Sequence, residues 1–125
     1  MILIDKEVYH KLINIKEREE CGFATSIVNK INNLFPVKNK SKNKNKFKMG
    51  FCSKLKSLLK IYFTNYNLIA IYHVHIHTNK LSSIDIDNMI EGLIYIVVYK
   101  ENLFLYRLDN NNKDKKILQL KYKVI

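Results

Sequence analysis

Two histidines one residue apart, His73 and His75, are followed by a carboxylate at Asp85. The run just before them, Leu68-Ile69-Ala70-Ile71-Tyr72, is apolar and rich in β-forming residues, so it reads as a buried strand. Residues i and i+2 of a strand point to the same face. His73 and His75 therefore project side by side from the strand's end, where two imidazoles can share one ion. A polar loop then brings Asp85 back as a third ligand. Two histidines and one carboxylate leave one position of a tetrahedral Zn²⁺ for water, the arrangement of a catalytic rather than a structural zinc site. A bound zinc lowers the pKa of such a water towards neutrality, and a nearby carboxylate can take its proton. The plain alternative is two strand histidines satisfied by hydrogen bonds.

At these residues the chain resembles the JAB/MPN domain with the JAMM metalloprotease motif: a Glu, then His-x-His, then Ser-x-x-Asp after a short loop. His73 and His75 match the histidines, and Ser82-Ser83-Ile84-Asp85 matches the Ser-x-x-Asp. The family's Glu lies just ahead of a Cys-Gly or Met-Gly pair that opens a core strand. Glu19-Glu20-Cys21-Gly22 puts Glu19 at that position, with Glu20 in reserve. The resemblance implies zinc held by His73, His75 and Asp85, with Glu19 as general base. It also implies that Ser82 steadies the oxyanion of the tetrahedral intermediate, although Ser82-x-x-Asp85 also resembles a helix capping box. Val74 stands where the family commonly has Ser, and Ile76 where it has Pro. A shifted register, His75 and His77 with Asp87, has the same spacing but places Ile84 where the Ser should be, so the first register is preferred. His77 then falls in the loop as a solvated side chain.

The resemblance further implies a zinc-dependent peptidase or isopeptidase acting at the C-terminal tail of a ubiquitin-like or sulfur-carrier protein. A chain of 125 residues lacks the insertions with which larger relatives grip ubiquitin chains. The competing reading is a catalytically inactive MPN-like scaffold that binds proteins.

Composition narrows the other classes. Hydrophobic residues make up 47% of the chain, enough for one real core and too many for a disordered segment. Two cysteines, Cys21 and Cys52, are too few for a disulfide framework. No apolar run is long enough for a membrane span, and the start meets charge within a few residues, so no secretory signal is expected. The expected location is cytoplasmic. The net charge of +11 would by itself suggest nucleic acid. It is almost all Lys, accompanied by abundant Asn and Ile, with Arg only at Arg18 and Arg107. That mixture reads as genome composition on a solvated surface, and a nucleic-acid role is not expected.

The elements that position these residues follow from periodicity. Met1 to Ile4 reads as a short strand, and Asp5 caps a helix running to about Arg18 with Val8, Leu12 and Ile15 on its apolar face. His10 lies on this helix as a surface residue. Cys21 to Val28 and Ile31 to Val37 read as strands joined at Asn29-Lys30, with Pro36 at a strand end or edge. The Lys/Asn tract 38–48 reads as a mobile loop, and residues 50–62 as an amphipathic helix. After the histidine strand, a short helix is expected from Ser82. Gly92 to Tyr99 and Leu103 to Leu108 form a hairpin, and Ile117 to Ile125 a final strand. The expected whole is a single domain over 1–125. Its class is mixed α/β, with helices packed on a central sheet; the resemblance implies the curved, helix-flanked sheet of the cytidine-deaminase-like JAB/MPN architecture.

Overall fold

The computed structural model describes residues 1–15, 20–27, 29–37, 58, 67–75, 78–81, 85–86, 89–109 and 116–125. These form β1 (Ile2–Ile4), α1 (Lys6–Ile13), β2 (Cys21–Ile27), β3 (Lys30–Val37), β4 (Asn67–Val74), β5 (Ile94–Tyr99), β6 (Asn102–Asp109), β7 (Lys116–Leu120) and β8 (Tyr122–Val124). All eight strands belong to one sheet in the order β7-β6-β5-β4-β2-β3-β1-β8. Its two edge strands, β7 and β8, are separated in sequence only by Lys121. A flat sheet would hold its edges many strand widths apart, so this sheet curls round until they meet, nearly closing a barrel. Irregularities in the middle of β2 help it bend: the register shifts between Thr25 and Ser26 against β3, and between Ala24 and Thr25 against β4. Bulges of this kind increase local twist and curvature.

Strand alternation sorts the side chains into two cores. The inner face gathers Ala24, Ile31, Ala70, Tyr72, Ile94, Ile96, Val98, Leu103 and Leu105 around Val8 and Leu12 of α1. Asp5 starts this helix by accepting a hydrogen bond from the Glu7 amide at 2.9 Å, a contact that holds its carboxyl below the usual range. Ala24 and Ala70 sit directly opposite each other on β2 and β4, and their small side chains leave room for the helix. The outer face carries Tyr95, Val97, Tyr106 and Leu108 on one side. Cys21, Phe23 and Val37 lie on the other, with Leu58 packed against them.

Gly22 is required where it stands. A Cβ there would lie 2.5 Å from the Phe35 carbonyl oxygen and 2.6 Å from the Tyr72 hydroxyl. Tyr72 is its direct partner on β4, so the ring crosses the space that only hydrogen leaves open.

The expected fold class is corrected. Instead of a sheet flanked by helices in the cytidine-deaminase-like JAB/MPN layering, the described residues form eight strands and a single helix of eight residues, α1, on the inner face. The helix expected over 50–62 lies outside the described residues except for Leu58, as does the tract 38–48. The final strand is also corrected. The alternation Leu118, Leu120, Tyr122, Val124 is continuous in sequence, yet the segment divides at Lys121. β7 pairs with β6, and β8 with β1 at the opposite edge. The Lys121 carbonyl accepts the Ile2 amide at 3.0 Å, which pins the crossing. Pro36 meets expectation: it pairs with Gly22 on β2, while β1 reaches only Lys30 and Ile31 on β3's other side.

Candidate metal centre

β4 lies in the interior of the sheet, between β2 and β5. At its end His73 is flanked by Cys21 on β2 and Val97 on β5, so its ring enters the outer face between two apolar clusters. His73 is 1% exposed. His75 continues the line: its amide donates to the Val98 carbonyl at 2.8 Å, one step beyond the end of β4. The i, i+2 spacing thus places both rings on one face, as the sequence implied. Their centroids are 4.3 Å apart and tilted by 55°.

The loop after His75 returns Asp85 to the pair. Asp85 and Ile86 are in helical conformation. Asp85 Oδ2 lies 3.8 Å from His73 Nε2 and 3.6 Å from His75 Nε2, while the two Nε2 atoms face each other at 2.5 Å. These three atoms form the described residues' candidate metal group. Their spacing can be tested against an ion. The point equidistant from all three lies about 2.0 Å from each, which matches zinc–nitrogen and zinc–oxygen bond lengths. That point lies in the plane of the three atoms, so a tetrahedral ion with one open position needs the ligands to adjust towards separations of about 3.3 Å.

Electrostatics favour the ligand form of His73. Burial, then the neighbouring His75, push its pKa down to about 3, with Asp85 opposing. It is therefore neutral at ordinary pH, as a ligand must be. His75 is oriented by a partner that composition could not reveal: Nδ1 lies 3.0 Å from the Thr78 carbonyl. A carbonyl only accepts, so Nδ1 carries the proton and Nε2 keeps its lone pair for a metal. Holding the distal ring nitrogen in this way is the usual support of a metal-binding histidine. No side-chain signal could have singled out Thr78, because its contribution is a main-chain oxygen.

The other sequence candidates divide as follows. Glu19, Ser82 and His77 lie outside the described residues. Glu20 is described: its carbonyl accepts the Val74 amide at 2.9 Å, so the chain entering β2 runs beside the residue between the two histidines. Its charge acts on Tyr72, whose hydroxyl pKa burial and Glu20 together raise. Cys21 is buried as expected, its Sγ 3.4 Å from the Val37 carbonyl. His10 is exposed on α1. Among the described residues no helix is long and apolar enough to cross a membrane.

The fold and site together define a curled β domain with a candidate mononuclear metal centre at the end of an interior strand. Comparison with known protein families and with curated proteins finds no match. Among solved structures, the chain resembles the solution structure of protein DSY2949 from Desulfitobacterium hafniense. The TM-score is 0.76 at 15% identity, over 100% of this chain and 93% of that one, a likeness of fold alone.

Proposed function

We propose that the protein is a zinc-dependent hydrolase of amide bonds, a peptidase or isopeptidase, working in the cytoplasm. The observation that carries this reading is the spacing of His73 Nε2, His75 Nε2 and Asp85 Oδ2 around a point about 2.0 Å from each. Zinc bound there would supply a Lewis acid and bring the pKa of a coordinated water near neutrality. His73 and His75 would hold it through neutral imidazoles, and Asp85 would offset part of its charge. Glu19 is assigned the proton relay, taking a proton from water and giving it to the leaving amine. Its chain neighbour Glu20 is already hydrogen-bonded to Val74, between the two ligands. Ser82, three residues before Asp85, is assigned as donor to the developing oxyanion.

The JAMM-like order of Glu19, His73-x-His75 and Ser82-x-x-Asp85 supports amide hydrolysis over other zinc chemistry, and the tail of a ubiquitin-like or sulfur-carrier protein as substrate. The test is cleavage of such a protein extended by a short C-terminal peptide, followed by mass spectrometry. Zinc-dependent release of the peptide is expected, lost in Glu19→Gln while zinc remains bound. Undiminished cleavage by Glu19→Gln would remove Glu19 from the chemistry. A zinc-loaded wild type that cleaves none of a panel of such tails would favour the protein-binding scaffold.

A further inference from the structure

The loop between β4 and β5 carries Asp85 and the carbonyl that orients His75, so its hold on the sheet decides the shape of the site. Two tyrosine hydroxyls on the outer face supply that hold. The Tyr106 hydroxyl donates to the Asn79 carbonyl at 2.6 Å, and the Ile90 amide donates to the Tyr95 hydroxyl at 2.8 Å. The two tyrosines are direct cross-strand partners on β5 and β6. Asn79 and Ile90 lie on opposite sides of Asp85 in the chain. One adjacent pair of hydroxyls thus grips both limbs of the loop.

Each grip leads to a different ligand. Tyr106 fixes Asn79, whose preceding residue, Thr78, receives the His75 ring nitrogen on its carbonyl at 3.0 Å and the Lys80 amide on its hydroxyl at 3.2 Å. Tyr95 fixes Ile90. The amide of its neighbour Met89 donates to the carbonyl of Ile86, the residue after Asp85, at 3.2 Å. Met89 shares the outer-face core with the two tyrosines, and Leu81 and Ile86 pack against that cluster, so the rings serve the core while the hydroxyls serve the loop.

We propose that Tyr95 and Tyr106 are positioning residues for the metal centre: their hydroxyls hold the two limbs of the β4–β5 loop so that His75 and Asp85 meet His73 at chelating distance. This inference rests on the metal-centre reading above. It assigns these tyrosines no contact with metal or substrate. Their influence runs through the Thr78–Asn79 backbone and the hydrogen bond from the Met89 amide to the Ile86 carbonyl.

The test uses Tyr95→Phe and Tyr106→Phe, which keep the rings and remove only the hydroxyls, with Tyr122→Phe at the far sheet edge as control. Zinc affinity is measured by competition with a chromophoric chelator, and the thermal midpoint is measured on metal-free protein. Losing one hydrogen bond predicts zinc binding roughly three- to tenfold weaker in each Phe variant, and weaker still in the double variant. Tyr122→Phe should bind as wild type does. Wild-type zinc affinity in both Phe variants, even with lowered thermal midpoints, would overturn the inference and leave the metal centre standing. Absence of zinc binding by wild type would overturn the metal centre and the inference with it. Should Tyr95→Phe fail to fold, Tyr106→Phe alone decides.

Discussion

Zinc should raise the thermal midpoint of the metal-free protein by an amount that linkage makes calculable. Tetrahedral ligands at zinc bond length stand about 3.3 Å from one another. The observed separations bracket that value, with the histidine pair tighter at 2.5 Å and the carboxylate contacts wider at 3.6 and 3.8 Å. Binding therefore needs the two rings to part by about 0.8 Å and the carboxylate to close by a similar or smaller step. No element has to refold. With free zinc at a hundredfold excess over its dissociation constant, linkage adds about 2.7 kcal/mol to stability. An unfolding entropy of about 2.1 cal/mol/K per residue turns this into a rise of roughly 10 °C for a chain of this length. Asp85→Ala leaves two ligands. If affinity falls by about two orders of magnitude, the same zinc concentration adds only about 0.4 kcal/mol, a shift of roughly 1–2 °C. The assay is differential scanning fluorimetry on chelator-treated protein, titrated with zinc. His77→Ala and Asp87→Ala, which would disable the shifted ligand register, should keep the full shift. A shift that survives Asp85→Ala but vanishes in His77→Ala would refute the assigned ligands.

Other consequences are separable from the metal. Gly22→Ala should destabilise by about 1–3 kcal/mol or more, because its Cβ would enter the space of the Tyr72 ring and the Phe35 carbonyl; chemical denaturation measures this. Lys100 and Glu101 hold φ of 48° and 63° in the two-residue turn between β5 and β6. Left-handed backbone is costly for such residues, so a Lys100→Asn/Glu101→Gly double variant should gain on the order of 1 kcal/mol, and an unchanged denaturation midpoint would count against strain there. Burial raises the hydroxyl pKa of Tyr95, Tyr106 and Tyr122. A group whose folded pKa is raised contributes stability that is present below its unfolded value, near pH 10, and is lost as pH climbs through the folded value. Thermal midpoints should therefore fall above about pH 10. The fall should be shallower in Tyr95→Phe and Tyr122→Phe, and equal slopes in all three proteins would contradict it.

Local chemistry was legible in this sequence, and long-range strand assignment was not. The Asp5 cap, the apolar pair Val8 and Leu12, the turn at Asn29 and the β5–β6 hairpin are all written within a few residues, and each stands as expected. Where α1 stops was less visible: Asn14 caps it after Ile13, although Ile15 keeps the helical spacing. The terminal segment shows the opposite limit. Leu118, Leu120, Tyr122 and Val124 alternate without interruption, and alternation says nothing about which neighbour a strand will choose. The division at Lys121 comes from sheet closure, with β1 accepting β8 as a parallel partner. Nothing near Lys121 announces a partner more than a hundred residues earlier in the chain.

That difference explains why His73, His75 and Asp85 come together although the expected architecture does not hold. The expectation of helices packed on a central sheet follows from the periodicity of the elements, and that of cytidine-deaminase-like layering from the family likeness; both concern how distant segments pack. The metal group depends on much less. It needs strand period to set His73 beside His75, and a loop held closely enough to return Asp85. Both requirements are met between Asn67 and Ile94, by one strand end and the outer-face side chains beneath the loop. A site specified so locally can sit on a curled, mostly β sheet as well as on a layered α/β domain. Its claim to chemistry therefore rests on the distances among three atoms and not on the class of fold around them.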